Sequence, residues 1–405
     1  MLMKRAILII LDGLGDRPCK EFFGETPLEA ASTPFMNYLA REGLCGMMSP
    51  LSLGWTPESG PAHFEILGYH PYYNFYPGRG PLEALGTGEK IKEGDVVFRV
   101  NFATISKGVI IDRRAGRIKD VRCFEKDLRM EMDGIEFILK AGTEHRAALI
   151  LRGENLSSQL TDSDPRKPNR KPKKVRSLSP EAKRTAKVLN KYIERVHKIL
   201  ENHRANRERK RKHLLPANFI LLRGAGTYKK VEEFERRYGL KACCIAGTGL
   251  YKGVGRFLGM KILKVRGATG GKNTDLHAKF KTASKATKRF DFVFLHIKGT
   301  DLYGHDGDAV GKMNFIQNID NAMRILSKTK ALMVITGDHS TPCSIKDHSG
   351  DDVPILFYGT GDMRRDDTLA FGEKYCETFG ALERIEGKDV IPEILNLTNR
   401  GKIIE

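Results

Sequence analysis

The stretch that decides the fold is KGTDLYGHDGD (298–308). It contains Asp and His residues and comes soon after a short apolar run, FVFL at 292–295. The chain repeats the arrangement: LMVI at 332–335 precedes TGDHSTP (336–342), and DHSG (347–350) follows soon after. Apolar runs of this length, rich in β-branched and aromatic residues, predict buried parallel strands. Residues just past the carboxyl ends of such strands lie where ligands collect in an open α/β sheet. Carboxylate oxygens and imidazole nitrogens together suit Mn or Zn, so the stretch predicts most of a metal site.

Two upstream segments supply residues that would complete such a site. The apolar segment 6–11 predicts a first strand, and Asp12 follows it directly. Ser59 precedes a short helical segment, where backbone N–H groups and the helix dipole favour a phosphoryl group, although a Ser beside Gly is also common as a plain cap or turn.

The candidate ligands share one kind of position, the loops at strand ends. Singly, an Asp after a strand is most often a helix cap, and a single His most often lies in the core or on the surface. Their joint placement favours a metal site, and their number exceeds the needs of one tetrahedral zinc and suits a pair of ions. The candidates are Asp12, Ser59, Asp301, His305, Asp338, His339 and His348.

The length of the chain and the order of its predicted strands and helices indicate two domains. A chain of 405 residues exceeds the size at which single cores usually stop growing. Strands alternate with helices at both ends of the sequence, whereas strands cluster between them. The prediction is a discontinuous metal-binding domain, 1–90 with 241–405, and an inserted α+β domain, 91–240.

The basic charge is concentrated in the predicted insert. The net charge is +19. Basic residues are concentrated in a predicted loop with several prolines (164–174) and in a run at 207–212. Between these two segments, the sequence predicts an amphipathic helix at 180–203. No aromatic residue interleaves the basic runs, so we predict a solvated face and do not expect a nucleic-acid partner.

Neither a membrane span nor a disulfide framework is expected. No apolar run reaches the length that crosses a bilayer, and the apolar N-terminal segment ends at Asp12, which fits a buried strand better than a signal peptide. The seven cysteines form no C-x-x-C pair and are expected to be buried thiols. We therefore expect a cytoplasmic protein.

Nearly the whole chain is similar to one known family. The matching segments before the insert are ILIILDGLGDRP, TPLEAASTPFMNYLA, SGPAHFEILGY and GRGPLEALG; those within it are RVNFAT, DRRAGRI, HRAALIL and LLRGAG. After it come YKGVGRFLGM, GATGGKNT, DFVFLHIKGTDLYGHDGD, ITGDHSTPC and HSGDDVP. These segments resemble the archaeal type of cofactor-independent phosphoglycerate mutase, a branch of the alkaline phosphatase superfamily. The resemblance implies an α/β fold, with an alkaline-phosphatase-like central sheet that has helices on both faces, plus an inserted α+β substrate-binding domain.

The resemblance also implies a role for each site residue. Asp301, His305 and His348 would bind one metal ion, whereas Asp12, Asp338 and His339 would bind the other, with Ser59 as the nucleophile coordinated to it. Lys252 would stabilise the seryl phosphate. The implied cofactors are two divalent ions (Mn, Mg or Zn), without 2,3-bisphosphoglycerate. The residues that match substrate-binding motifs of the insert are Asn101, Asp112, Arg113, Arg114, His145, Arg146, Asp164 and Arg223.

The implied reaction interconverts 3-phosphoglycerate and 2-phosphoglycerate through a phosphoserine. The family usually has Gly-Ser-Asp around the nucleophile and Asp-Pro-His in the insert, whereas this chain has Glu58-Ser59-Gly60 and Asp164-Pro165-Arg166. An alternative is a metal-dependent phosphatase or phosphotransferase that acts on another small phosphorylated acid. The sequence leaves open whether the chain forms a homo-oligomer.

Overall fold

The computed structural model describes residues 4–359 and 363–401. Its strands, in chain order, are β1 (Ala6–Leu11), β2 (Leu44–Ser49), β3 (Val96–Ser106), β4 (Val109–Asp112), β5 (Met130–Met132), β6 (Ile135–Ala141), β7 (Arg146–Arg152), β8 (Phe219–Thr227), β9 (Ala242–Ile245), β10 (Lys261–Ile262), β11 (Phe292–Ile297), β12 (Leu332–Thr336), β13 (Val353–Tyr358) and β14 (Arg384–Glu386). Its α-helices are α1 (Pro27–Ala30), α2 (Pro34–Arg41), α3 (Ser59–Ile66), α4 (Arg79–Thr87), α5 (Glu125–Leu128), α6 (Lys183–Asn202), α7 (Arg204–Arg211), α8 (Phe234–Tyr238), α9 (Gly249–Phe257), α10 (Leu276–Ala286), α11 (Gly299–Asp306), α12 (Ala309–Met323), α13 (Glu373–Phe379) and α14 (Val390–Leu397).

The chain divides into two compact units. The first unit comprises the described residues of Met1–Tyr76 and Glu232–Glu405, and the second is Pro77–Val231. The division falls earlier on both sides than the predicted bounds of 91 and 240. Residues 79–87 lie in the second unit because α4 packs against β3, β7 and β8.

The first unit is built on an eight-stranded sheet, with the order β10-β9-β11-β1-β12-β13-β2-β14. The apolar runs at 292–295 and 332–335 lie in β11 and β12, and both strands pair parallel to β1, which confirms the prediction. All residues of β1, β11 and β12 are buried, as expected of strands covered on both faces. In contrast, β13 runs antiparallel to both of its neighbours.

The second unit has a sheet of six strands and its own hydrophobic core. Its strands follow the order β4-β3-β7-β6-β5, and β8 pairs with β3. Helix α6 buries Val188, Leu189, Tyr192 and other apolar residues against one face of this sheet, as the amphipathic pattern predicts. The basic run at 207–212 mostly belongs to helix α7 and its side chains are largely exposed.

Two further expectations from the sequence can be compared with the structure. The cysteines are all free thiols and most are buried, but Cys123 is exposed, contrary to expectation. Within the described residues, no helix has both the length and the apolar character needed to cross a bilayer.

Candidate functional site

Strand ends of the first unit position the candidate metal ligands. Asp12 follows β1, the helix α11 that carries Asp301 and His305 begins just after β11, and Asp338 and His339 follow β12. Because β1, β11 and β12 are parallel neighbours, their carboxyl ends lie at one edge of the sheet. The loop before β13 adds His348.

The first ligand group is built around Asp301. Its Oδ1 lies 3.3 Å from His305 Nε2 and 3.6 Å from His348 Nε2. His305 Nδ1 contacts the Lys346 carbonyl oxygen at 3.0 Å, and His348 Nδ1 contacts the Pro57 carbonyl oxygen at 2.8 Å. These backbone contacts place the proton on Nδ1 of each ring and leave Nε2 as the ligand atom.

The second ligand group is built around His339. Its Nε2 lies 3.5 Å from Asp12 Oδ1, 3.4 Å from Asp338 Oδ2 and 3.1 Å from Ser59 Oγ. The rings of His339 and His348 are stacked with centroids 3.7 Å apart, so the two groups are adjacent. The structure thus brings the candidate ligands close together, and His339 lies within reach of both groups. The assignment of each ligand to one of two metal ions stays a prediction.

Ser59 is the first residue of helix α3, as its position in the sequence predicted. Its side chain is largely buried, and the helix presents its first backbone N–H groups beside it. Four residues further along the helix, His63 Nδ1 contacts the Ser59 carbonyl oxygen at 2.6 Å. An anion attached to Ser59 would therefore meet the positive end of α3.

Three buried carboxylates, those of Asp12, Asp301 and Asp338, meet with Lys298 at this site. Lys298 Nζ lies 3.0 Å from Asp12 Oδ2 and 2.6 Å from Asp301 Oδ2. Burial raises the pKa of Asp12, but Lys298 and neighbouring imidazoles outweigh it and hold the pKa well below its usual range. In contrast, burial and the nearby Asp12 carboxylate raise the pKa of Asp338 well above its usual range. Lys298 alone does not neutralise the site, so protons or metal ions must supply the remaining positive charge.

The donor set fits divalent metal ions. Asp12 Oδ1 and Asp338 Oδ2 are buried and accept no hydrogen bond from any described residue. Asp12, Asp338 and His339 present ligand atoms within 4.8 Å of one another, and so do Asp301, His339 and His348. Orphaned carboxylate oxygens beside imidazole nitrogens are the ligands that Mn and Zn prefer.

Sequence reasoning did not identify four buried or half-buried residues at this site. His63 and His296, with Asp338, form a further trio whose ligand atoms lie within 4.8 Å of one another. The Tyr251 hydroxyl donates to Asp12 Oδ2, and its ring stacks on His296. Lys298 is the fourth of these residues. The sequence held a signal for three of them: His296 lies inside the apolar strand β11, His63 follows Ser59 by four residues, and Lys298 precedes Asp301 by three.

Lys252 lies in helix α9 and is half-buried. Its Nζ donates to the Gly247 carbonyl oxygen at 3.3 Å, and burial lowers its pKa. Among the described contacts, none joins Lys252 to Ser59. Its predicted role at a seryl phosphate therefore stays a prediction.

The second unit gathers most of its predicted substrate-binding residues around β3. Asn101 on β3 lies opposite Arg146 on β7, and His145 immediately precedes Arg146. Arg223 on β8 lies opposite Arg99, a β3 residue that sequence reasoning did not single out. Arg99 lies two residues from Asn101 on the same strand, so the two side chains lie on one face of the sheet.

The other predicted residues of this unit form local pairs. Arg113 binds Asp164 through two hydrogen bonds, at 3.0 Å to Oδ1 and 2.5 Å to Oδ2. Asp112 Oδ1 accepts from the backbone N–H of Arg114 at 2.6 Å. The guanidinium group of Arg113 is therefore paired with the carboxylate of Asp164.

Comparisons with known proteins show the family to which the chain is similar. The model of the metalloenzyme superfamily matches residues 4–396. The 2,3-bisphosphoglycerate-independent phosphoglycerate mutase of Picrophilus torridus is 44% identical over 402 residues, which cover 99% of each chain. The structure of a Pyrococcus horikoshii protein superposes with a TM-score of 0.86 at 35% identity and covers 100% of both chains. A cofactor-independent phosphoglycerate mutase from Thermoplasma acidophilum matches with a TM-score of 0.71 at 38% identity, over 98% of this chain and 100% of its own.

Proposed function

Because this chain belongs to the 2,3-bisphosphoglycerate-independent phosphoglycerate mutases, within the metalloenzyme superfamily, we propose that it interconverts 3-phosphoglycerate and 2-phosphoglycerate. One observation carries the proposal. Ser59 Oγ begins helix α3 and lies 3.1 Å from His339 Nε2, within the cluster of carboxylates and imidazoles described above. A hydroxyl at a helix N-terminus, beside ligands for divalent ions, suits transfer of a phosphoryl group.

The proposed cofactors are two divalent ions, and 2,3-bisphosphoglycerate is not required. Asp301, His305 and His348 would hold one ion; Asp12, Asp338, His339 and Ser59 would hold the other. When bound, such ions lower the pKa of a hydroxyl ligand and offset the charge on phosphoryl oxygens.

The proposed reaction has two balanced steps at Ser59. In the first, Ser59 Oγ bonds to phosphorus while the bond from phosphorus to the substrate oxygen breaks, and the proton lost by Ser59 balances the one gained by that oxygen. In the second, the other hydroxyl of glycerate bonds to phosphorus, gives up its proton and releases Ser59. Between the steps glycerate must reorient without leaving and water must be excluded, since water at the phosphoserine would release phosphate.

Several residues of the first unit would orient this chemistry. The bond between His63 Nδ1 and the Ser59 carbonyl oxygen fixes the first turn of α3. Lys298, held between Asp12 and Asp301, supplies a fixed positive charge. Preorganised charges of this kind contribute most where water is excluded.

The test follows the phosphoryl group and the isomer in one experiment. We expect metal-loaded protein to form 2-phosphoglycerate from 3-phosphoglycerate and to carry an acid-stable phosphoserine after rapid quenching. Ser59→Ala should carry none, while Ser52→Ala, an exposed serine before α3, should behave as wild type. Free phosphate without isomer would favour the alternative, a metal-dependent phosphatase, and a fully active Ser59→Ala protein would refute the assignment of the nucleophile.

The remaining proposals concern setting and partners. We propose a small phosphorylated acid as the substrate and the cytoplasm as the location, as expected of an enzyme of glycolysis and gluconeogenesis. The association of copies into a homo-oligomer stays open. The absence of a nucleic-acid partner stays a prediction, and a lack of salt-dependent binding to duplex or single strands would support it.

A further inference from the structure

Thr341 is a fully buried residue that contacts both ligand groups of the first unit. Its Oγ1 lies 3.1 Å from Asp301 Oδ1 and 3.0 Å from His339 Nδ1. The first ligand group is built around Asp301 and the second around His339, so a single hydroxyl group joins the two. A buried hydroxyl must find its hydrogen bonds within the protein, and these two contacts satisfy it.

The position of the Thr341 hydroxyl is fixed by its surroundings. The Thr341 backbone N–H donates to the Gly15 carbonyl oxygen at 3.0 Å, and the buried Lys312 Nζ donates to the Thr341 carbonyl oxygen at 3.1 Å. A Cβ added at Gly13 would lie 2.5 Å from Thr341 Oγ1, and one added at Gly304 would lie 2.8 Å from its Cγ2. The side chain is therefore packed between the loop after β1 and helix α11, with little room to rotate.

The neighbours of the Thr341 hydroxyl determine the direction of both hydrogen bonds. Lys298 Nζ donates to Asp301 Oδ2 at 2.6 Å, and an Asp paired with an ammonium group is a carboxylate, which only accepts hydrogen bonds. Thr341 has one hydroxyl proton and donates it to Asp301, so the hydroxyl must accept from His339. A metal-binding imidazole is neutral, so its one N–H is Nδ1–H and its lone pair lies on Nε2. This Nε2 lies 3.1 Å from Ser59 Oγ.

The Thr341 hydroxyl replaces a backbone acceptor that the other two imidazoles have. His305 Nδ1 and His348 Nδ1 contact carbonyl oxygens, which orient their rings. A carbonyl oxygen only accepts, whereas a hydroxyl group also donates. The contact of His339 with Thr341 therefore orients the ring and links it to the carboxylate of Asp301 in the other group.

We propose that Thr341 is a positioning residue for both ligand groups. Its hydroxyl accepts the Nδ1 proton of His339, which directs the Nε2 lone pair to a metal ion, and it donates to Asp301, which holds the carboxylate of the other group. This inference rests on the two-ion site of the proposed function, but not on the reaction catalysed there. It predicts that binding of both ions depends on one hydroxyl group.

The first test measures binding of Mn by titration calorimetry on the full chain after removal of bound metal. Thr341→Val replaces the hydroxyl with a methyl group and keeps the branched side chain. We expect it to weaken both binding steps about 10- to 100-fold, as loss of a residue that orients metal ligands does. Thr341→Ser restores the hydroxyl and should bind both ions nearly as wild type does.

The matched control is Thr336→Val, at another fully buried threonine of the same unit. Among the described residues, the Thr336 hydroxyl bonds only the backbone carbonyl oxygens of Pro354, at 3.0 Å, and Gly337, at 3.3 Å. Its loss should lower the stability of the fold and leave both Mn affinities unchanged. Weakening of one binding step alone by Thr341→Val, weakening of neither step, or equal weakening by Thr336→Val would overturn the inference.

The second test locates the proton on the His339 ring by nitrogen NMR of the full chain labelled in its histidines. His339→Gln identifies the signals of that ring. We expect the proton on Nδ1 in wild type and in Thr341→Ser, both without metal and after addition of Zn. In metal-free Thr341→Val, the fraction with the proton on Nε2 should rise. A wild-type ring protonated on Nε2 would overturn the inference, even if Thr341→Val did not fold.

This inference and the proposed function fail in different ways. Protein that binds two ions with the expected dependence on Thr341, yet forms no 2-phosphoglycerate, would refute the proposed function and leave the role of Thr341 intact. Protein that isomerises its substrate, but whose Thr341→Val variant binds Mn as wild type does, would refute the role of Thr341 alone. Protein that binds no ion would overturn the two-ion site and this inference together.

Discussion

The glycine after Ser59 packs against Tyr76, and this contact predicts the effect of one added methyl group. An ideal Cβ at Gly60 would lie 2.7 Å from Cε2 and Oη of Tyr76 and 2.9 Å from Cζ. Atoms in favourable contact are about 3.5–4.0 Å apart, so the methyl group would overlap the ring. The ring packs edge-on against Phe64, with centroids 5.5 Å apart, and cannot move aside freely. Overpacking of this kind costs about 1–3 kcal/mol.

Gly60→Ala also has a favourable component. Gly60 lies in the first turn of α3, and alanine is up to about 1 kcal/mol better than glycine in a helix. We therefore expect Gly60→Ala to lower the free energy of unfolding by about 0–2 kcal/mol. In a Tyr76→Ala background the overlap disappears, and Gly60→Ala should instead stabilise by up to about 1 kcal/mol.

Urea unfolding of wild type, both single variants and the double variant measures this coupling. The expected coupling energy is about 1–3 kcal/mol. Tyr73→Ala is the matched control, because Tyr73 is 71% exposed and should show no coupling with Gly60→Ala. Equal stabilisation by Gly60→Ala in the wild-type and Tyr76→Ala backgrounds would refute the reasoning. The same contact gives a physical reason for Gly60 where the family pattern has Asp, since any Cβ meets the ring.

Three further predictions concern charge and metal in the first unit. Lys312→Met should lower the free energy of unfolding by about 3–5 kcal/mol, because the Asp16 carboxylate loses the ammonium group that lies 2.8 Å from it and stays buried. Urea unfolding measures this loss. A loss below about 1 kcal/mol, which is the value of an exposed ion pair, would contradict the prediction. Burial raises the pKa of Glu373 to about 7, so folding favours its protonated form. The stability of wild type relative to Glu373→Gln should therefore fall as pH rises through 4.5–7, and a pH-independent difference would count against it. Chelation with EDTA should lower the unfolding temperature, and added Mn should restore it, because the ions bind the folded ligand set and not the unfolded chain. Asp301→Asn should reduce the rise in unfolding temperature on addition of Mn. An unchanged rise would argue against Asp301 as a ligand.

Sequence reasoning predicted that three of the candidate ligands lie close together, because strand periodicity marks their positions. Asp12, Asp301 and Asp338 come soon after apolar runs, and the carboxyl ends of parallel strands bring such residues together. His63 and His296 were missed for the opposite reason. A single His within an apolar segment is also typical of a satisfied core residue, and only the tertiary structure shows it beside Asp338.

Strand direction and domain limits were less accessible to sequence. An apolar run predicts β13 but not its antiparallel direction, since that depends on which neighbours the strand finds. The division near 77 differs from the predicted bound of 91 because α4 has ordinary helical periodicity, which does not indicate the sheet against which the helix packs.

The position of β1 between β11 and β12 has a consequence for synthesis of the protein. Ala6 pairs with Phe292 and Leu332, so β1 leaves the ribosome well before its two neighbours and remains unpaired until both have followed. At about 5–20 residues per second, this interval lasts on the order of 15–60 s. The second unit, 77–231, can complete its own core during that time. The nascent chain thus carries an apolar segment that needs protection from aggregation before the site at its end can assemble.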